Sequence, residues 1–192
     1  WFGEGVSYQI FPDRFRRTHI PSAQGMIGNR FVHTDWSEPV FFEPRTQEPQ
    51  WCYDFYGGNL LGIREKLPYL KSLGVGTIYL CPIFEASSNH RYNTADYKKI
   101  DPLLGTEEEF EILCEEARTY GMRVLLDGVF SHTGEDSIYF NHFGHYPTLG
   151  AYQGESSPYF DWYTFKDFPE DYRAWWGILS LPELRKDNPQ YQ

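Results

Sequence analysis

Apolar positions along the chain fall into three short runs separated by two amphipathic stretches. Val6-Ser7-Tyr8-Gln9-Ile10-Phe11 is β-rich, only partly alternating and stopped by Pro12-Asp13, which predicts a buried strand feeding a loop. Ile63, Leu67, Leu70 and Leu73 recur at helical spacing, with Asn59 placed to cap the N-terminus and Gly74 to end the helix. Pro68 inside that stretch predicts a kink or a late start. Gly76-Thr77-Ile78-Tyr79-Leu80 follows at once as a compact apolar strand. Thr106-Glu107-Glu108-Glu109 reads as a capping box opening a second helix, whose Phe110, Leu113, Cys114 and Ala117 form one buried stripe. Gly121 closes that helix, Arg123-Val124-Leu125-Leu126 is a third strand, and Asp127 stands at its C-terminal end.

The order is β, α, β, α, β with no hairpin signal between strands, which requires a parallel sheet with ligands at the C-terminal strand ends. A barrel and an open sheet both satisfy this pattern. The long irregular segments (16 to 56, 81 to 105, 127 to 182) all follow strands, whereas the connections after helices are short. That asymmetry is the one found in enzyme-bearing barrels and places function on a single face. The 16 to 56 segment mixes Pro, Gly, aromatic and charged residues without either period, and is expected to lie outside the core. Between Tyr139 and Trp176, 14 of 38 residues are aromatic, too dense for a connector, so residues 133 to 182 read as an inserted small domain.

Composition narrows the function classes. The 192 residues carry 17 Lys plus Arg against 27 Asp plus Glu, a formal charge of -10 that repels a nucleic-acid backbone or an anionic membrane surface. No run approaches the roughly 18 apolar residues of a spanning helix. The 15 Tyr, 15 Phe and 6 Trp exceed the needs of a core, and flat amphipathic rings suit ligands with apolar C–H faces, which makes carbohydrate a candidate. Cys52, Cys81 and Cys114 form an odd set without metal-ligand spacing, which argues against a disulfide scaffold and mildly favours a reducing, cytoplasmic setting. The first residue is Trp1, without an initiator Met or a leader, and the last residues are polar. Both ends read as cuts, so secretion stays open.

Two segments hold the candidate chemistry. Asp127-Gly128-Val129-Phe130-Ser131-His132 puts a carboxylate where a strand ends and an imidazole just beyond it. Ser87-Ser88-Asn89-His90-Arg91-Tyr92-Asn93-Thr94-Ala95-Asp96-Tyr97 offers hydrogen-bonding groups for hydroxyls together with aromatic faces for a sugar ring. The bland readings are a capped loop with a packed histidine, and a solvated loop. One shared pocket requires the second and third strands to be adjacent, as sequential parallel strands commonly are.

Taken together, the blocks Val6 to Phe15, Tyr56-Gly57-Gly58-Asn59-Leu60 through Val75, Ile78 to Phe84, His90 to Tyr97 and Asp127 to Gly134 resemble successive motifs of the α-amylase family, glycoside hydrolase family 13. The neopullulanase, cyclomaltodextrinase and maltogenic amylase branch is the most similar. The resemblance implies an α/β fold: the N-terminal portion, about three βα units, of a TIM (β/α)8 barrel with a small B domain inserted after the third strand. Residues 1–132 would belong to the barrel, 133–182 to the B domain, and 183–192 to the return. It implies a retaining hydrolase of starch-derived oligosaccharides, maltodextrins, cyclodextrins or pullulan, with α-glucan oligosaccharides as partners and self-association left open.

The same resemblance assigns roles. Tyr92 is similar to the ring that stacks on the sugar at the cleavage point, and His132 to the imidazole that binds its 6-hydroxyl. Asp127 resembles the aspartate that supports a neighbouring arginine, Asp96 a positioning aspartate, and His90 lies beside them in the second loop. Leu181-Pro182-Glu183-Leu184 resembles a region that tracks with bond preference, with Arg185 where Asn is usual. Calcium is the cofactor the family suggests, through the Gly57 carbonyl and Asn59. Here Asn59 replaces an Asp, Ser131 replaces an Asn, and Arg16, Arg17 and Thr18 replace further oxygen ligands, so no tightly held ion is expected. The nucleophilic Asp and the acid/base Glu would both fall after Gln192, which leaves the 192 residues without the catalytic pair and predicts an inactive, poorly soluble piece.

Two rival readings stand beside this one. The first is a non-catalytic sugar-binding or scaffold protein derived from an amylase front half, supported by the aromatic block. The second is an unrelated parallel-sheet enzyme using Asp127 and His132 for metal-assisted chemistry, for which His90, His132, His142 and His145 lack an established ligand spacing.

Overall fold

A computed structural model describes residues 5–41 and 52–191; the ends of the chain and part of the 16 to 56 segment lie outside the described residues. In chain order the elements are β1 (Val6–Ile10), β2 (Phe31–Val32), β3 (Asp54–Phe55), α1 (Leu60–Glu65), α2 (Leu67–Ser72), β4 (Val75–Leu80), β5 (Phe84–Ala86), β6 (Thr94–Ile100), α3 (Glu107–Thr119), β7 (Arg123–Leu126), β8 (Phe165–Asp167) and β9 (Asp171–Tyr172), with four short 3-10 turns. No helix among the described residues is long and apolar enough to cross a membrane. The chain divides into two compact units. The first takes the described parts of Trp1–Ile83, Ser88–His90 and Lys99–Asp127, and the second takes Phe84–Ser87, Arg91–Lys98 and Gly128–Gln192.

The first unit is built on a parallel sheet in the order β1-β4-β7. Val75, Thr77, Ile78 and Leu80 of the middle strand are buried, as expected for the one strand with neighbours on both sides. α1, α2 and α3 supply the other half of the core, where Leu60, Ile63, Leu67, Leu70, Leu113 and Ala117 are fully buried against Ile10, Ile78 and Leu80. Burial of each such Leu or Ile contributes about 1.5–3 kcal/mol.

Local chemistry sets the ends of these helices. The Asn59 side chain accepts from Gly62 N–H at 2.8 Å, capping α1. The predicted interruption at Pro68 is present: α1 ends at Glu65, and α2 restarts with Pro68 in its first turn, where a missing N–H is tolerated. Gly74, at φ 75, ends α2. At α3 the capping box forms in both directions, Glu109 N–H to Thr106 Oγ1 at 3.2 Å and Thr106 N–H to Glu109 Oε2 at 2.9 Å. Cys114 is only half-buried, because it lies at the margin of the stripe marked by Leu113 and Ala117.

The 16 to 56 segment departs from expectation. Phe31–Val32 pairs in parallel with Asp54–Phe55, and Phe41, Phe55 and Tyr56 are buried with His33. The segment is tied down by buried charge. The Arg30 guanidinium and the Asp101 carboxylate, both with side chains at 0% exposure, meet at 2.9 Å through two bonds. Asp13, also at 0%, accepts from the backbone N–H of Tyr56 at 3.0 Å and of Gly57 at 3.0 Å. The glycine pair of the Tyr56-Gly57-Gly58-Asn59 motif follows from this approach: Gly57 sits at φ 74, and a Cβ at Gly58 would collide with the Pro12 carbonyl.

The second unit contains little regular structure, with the short pair β8 and β9 and the pairing of β5 with β6, both strands lying where an extended loop was expected. Rings hold it together. Tyr139, Phe140, Tyr163 and Tyr172 are buried together with Ala151 and Leu184, and Tyr97, Tyr152, Tyr159, Trp162 and Phe165 pack around them. Most of the aromatic excess of residues 139 to 176 is therefore core rather than ligand surface.

Candidate functional site

In the first unit β7 delivers Asp127. Its backbone N–H donates to the Leu80 carbonyl at 3.0 Å, extending the parallel ladder one residue past the strand. The required adjacency is present, since Tyr79 pairs with Leu125 across the sheet. The Tyr79 hydroxyl hydrogen-bonds the Asp127 carboxylate, and that bond, with burial, pushes the phenol up to about 12. Tyr79 thus orients Asp127 and stays protonated through the physiological range. His90, in the same unit, has Nδ1 3.2 Å from Ser88 Oγ.

In the second unit the sequence candidates His132 and Tyr92 are brought together. His132 is 4% exposed; its Nε2–H donates to the Tyr92 carbonyl at 3.0 Å, and Nδ1 then accepts from the Ser131 hydroxyl at 2.9 Å. Burial lowers the imidazole pKa, partly offset by the Tyr92 carbonyl and the Glu183 charge, so the ring is neutral at pH 7. Trp175 lies against it at 5.1 Å between ring centroids. An antiparallel bridge to Glu183 fixes the backbone at His132. Tyr92 follows Arg91, a fully buried residue at φ 61, a conformation that costs about 1–3 kcal/mol outside glycine and is typical of residues presented for function. Tyr92 as a residue is 38% exposed.

Asp96 is engaged locally, accepting from Lys98 N–H at 2.8 Å and from the Tyr139 hydroxyl at 3.3 Å, while Tyr139 in turn accepts from Tyr97 N–H at 3.2 Å. Tyr97 emerges as a further site residue: its hydroxyl lies 2.5 Å from the Val129 carbonyl and 2.8 Å from that of His132, which sets the turn carrying the histidine. Burial pushes this phenol far above its ordinary value. The sequence places Tyr97 in the candidate segment for its aromatic face, and carries no sign of the two carbonyls that its hydroxyl holds. Of the Leu181 to Arg185 stretch, Glu183, Leu184 and Arg185 line a cavity of about 480 Å³ with Thr164, Arg173 and Asp187, in which Arg173 pairs with Glu183 at 3.0 Å.

Calcium fits poorly at Gly57 and Asn59. The Asn59 amide oxygen serves the α1 cap, and its Nδ2 donates to Thr18 Oγ1 at 3.0 Å. The nearby Asp13 carboxylate is held by backbone N–H groups and by Arg14 at 2.8 Å. The Arg17 guanidinium, itself a cation, gathers three nearby carbonyls: His33 at 2.8 Å, Thr34 at 2.6 Å and Tyr56 at 3.3 Å. Among the described residues no group of three or more His, Cys, Asp or Glu is arranged to hold a metal ion.

In the second unit a neutral histidine is thus hydrogen-bonded to the backbone of a partly exposed tyrosine, which sets a polar side chain and an aromatic residue side by side in the chain fold. The family model for the α-amylase catalytic domain matches residues 9–179. The chain belongs to the α-amylase family. It is 45% identical over 205 residues to an amylopullulanase of Thermoanaerobacterium saccharolyticum, covering 98% of this chain and 16% of that protein. Neopullulanase 2 of Thermoactinomyces vulgaris is 36% identical over 198 residues, covering 99% and 30%. Among solved structures, the type III pullulan hydrolase from Thermococcus kodakarensis aligns with a TM-score of 0.81 at 36% identity, covering 97% of this chain and 33% of that one. The α-amylase catalytic domain is a TIM barrel, and this amylase-family chain accounts for about a third of the aligned structure.

Proposed function

We propose that the chain forms part of the substrate groove of a retaining α-glucan hydrolase acting on maltodextrins, cyclodextrins or pullulan. The observation that carries this reading is the neutral His132 with Nε2 on the carbonyl of Tyr92, a residue that is itself 38% exposed. Tyr92 covers the apolar face of a glucosyl unit, and His132 engages its 6-hydroxyl by exchanging the Ser131 hydroxyl at Nδ1 for that of the sugar. Asp127, oriented by Tyr79, supports an arginine that steadies the nucleophile. Asp96 positions the Tyr92 loop through Tyr139, and His90 flanks it. Residues 133–182 act as the B domain, between barrel segments 1–132 and 183–192.

Retention requires two carboxylates about 5 to 5.5 Å apart, one attacking the anomeric carbon and one protonating the leaving oxygen. In this reading sequence beyond residue 192 supplies them. The test compares the 192-residue chain with the full-length polypeptide on p-nitrophenyl α-maltoside. Release of p-nitrophenol by the full-length protein alone is expected. Turnover by the purified 192-residue chain would place the catalytic pair within it, and inactivity of the full-length protein on every α-glucan would end the hydrolase reading.

A further inference from the structure

We propose that Trp176 is a sugar-stacking platform that extends the glucan surface outward from His132 and Tyr92; this rests on the site binding α-glucans. Trp176 is 86% exposed, and its ring lies parallel to Trp175 at 4.6 Å and 5°, while Trp175 lies against His132 at 5.1 Å. A chain of ring contacts, tilted by 39° at His132–Trp175 and stacked at Trp175–Trp176, therefore runs from the buried histidine to solvent within one unit.

Folding does not account for this residue. Trp176 sits at φ 52 and ψ 24, and Gly177 follows at φ 77, so a bulky aromatic occupies a left-handed position that glycine or asparagine takes with less strain. It also leaves a large apolar face in water, although the other rings of this unit largely pack into its core. The conformation is enforced rather than loose. Gly177 N–H donates to Ala174 at 3.1 Å, Ile178 N–H to Trp175 at 3.0 Å, Trp175 N–H to Leu181 at 2.9 Å and Leu181 N–H to Ile178 at 2.9 Å, and the Tyr172 hydroxyl holds the Leu179 carbonyl at 2.9 Å. With the backbone beneath it fixed and one face stacked on Trp175, the indole needs less ordering when it meets a ligand.

The shape of the patch favours a sugar over a protein. A stable protein interface buries about 800 Å² on each partner, and an aromatic side chain contributes about 150–250 Å². Trp176 with its exposed neighbours Ile178 and Leu179 falls short of that area, and just after β9 the solvent-exposed Arg173 pairs with Glu183. A single flat indole face backed by a second indole matches the C–H face of a glucosyl residue in an extended α-glucan.

The experiment uses the full-length polypeptide and titrates maltohexaose and maltotriose against its tryptophan fluorescence, with W176G, W176A and Y92A alongside. Gly suits the backbone at this position, so W176G is expected to melt no lower than the wild type. Both Trp176 variants are expected to raise the Kd for maltohexaose about tenfold and that for maltotriose much less, collapsing the preference for the longer chain. Y92A is expected to weaken both sugars alike. Unchanged maltohexaose affinity in W176G beside a wild type that binds it would overturn the proposal while sparing the glucan reading. The same holds if W176G merely converts a dimer into a monomer, which would make a second copy the occupant. Failure of the wild type to bind any maltodextrin would remove the glucan reading itself.

Discussion

The Arg30–Asp101 pair gives the sharpest test of how the irregular segment before β3 is held. Both side chains are at 0% exposure and meet through two bonds of 2.9 Å, Arg30 Nε also donates to the Ile27 carbonyl at 2.9 Å, and Asp101 accepts the Leu103 N–H at 3.0 Å. For charge centres about 4 Å apart at an effective dielectric of about 20, the attraction is about 4 kcal/mol, close to what desolvating the two ions removes. The pair is thus near neutral against an apolar substitute, yet breaking it by R30M strands a buried carboxylate. A loss of about 3–5 kcal/mol is expected, or a fall in Tm of about 6–20 °C for a chain of this size. The double variant R30M/D101L is expected to recover most of that loss, giving strong coupling in a denaturant-monitored double-mutant cycle. The wild-type pair is also expected to be insensitive to added salt, since screening acts on exposed charge. An R30M variant less than 1 kcal/mol below wild type, or a double variant whose losses simply add, would refute the claim that this ion pair anchors the segment.

Two further outcomes follow from the site. Because the Asn59 amide is committed to Gly62 and Thr18, and Arg17 satisfies three neighbouring carbonyls, EDTA is expected to leave Tm unchanged, whereas R17M is expected to lose about 2 kcal/mol with no rescue by calcium; a clear fall in Tm on chelation would contradict this. His132 has its pKa lowered from 6.5 by burial, so the unfolded chain takes up its proton first as pH falls. Stability contributed by the neutral ring is complete above about pH 6.5 and is lost as pH drops from there toward the folded value. The stability difference between wild type and H132Q should therefore shrink between pH 7 and 5, and a flat difference would show that the ring does not titrate this way.

The parts of the fold legible in the sequence are those fixed by neighbours in the chain. Asn59, the Thr106–Glu109 box, Pro68 and Gly74 act within one helical turn, and the apolar runs at Ile10, Ile78 and Leu126 announce their strands by composition. What stayed hidden depends on distant partners. Phe31–Val32 is a strand only because Asp54–Phe55 lies beside it, and Thr94–Ile100, rich in Lys, Asp and Thr, pairs with Phe84–Ala86 despite carrying no strand signature. Arg30 and Asp101 are 71 positions apart, so neither residue betrays its burial locally. In the candidate site Tyr92, His132 and Asp127 were visible through the motifs, whereas Tyr79 and Tyr97 act through hydroxyls whose acceptors lie across the sheet or in a different loop.

The second unit explains why aromatic content misleads when read as ligand surface alone. Its regular elements are too short to bury a core through periodicity, with β8 and β9 spanning three and two residues. Rings replace them, because one Phe or Tyr covers about 150–250 Å² while constraining few torsions. Tyr hydroxyls also satisfy backbone carbonyls that no ladder reaches, as Tyr97 does at Val129 and Tyr172 at Leu179. A ring in this unit is therefore structural when its edge or hydroxyl is engaged and its faces are covered, as at Phe140 and Tyr163. It becomes a candidate for ligand when a face is open and the backbone beneath it is held in a conformation that folding alone would avoid. Trp176, itself left-handed and 86% exposed, meets that description. Strain and exposure together, rather than aromatic abundance, separate a ring presented to solvent from one that builds the core.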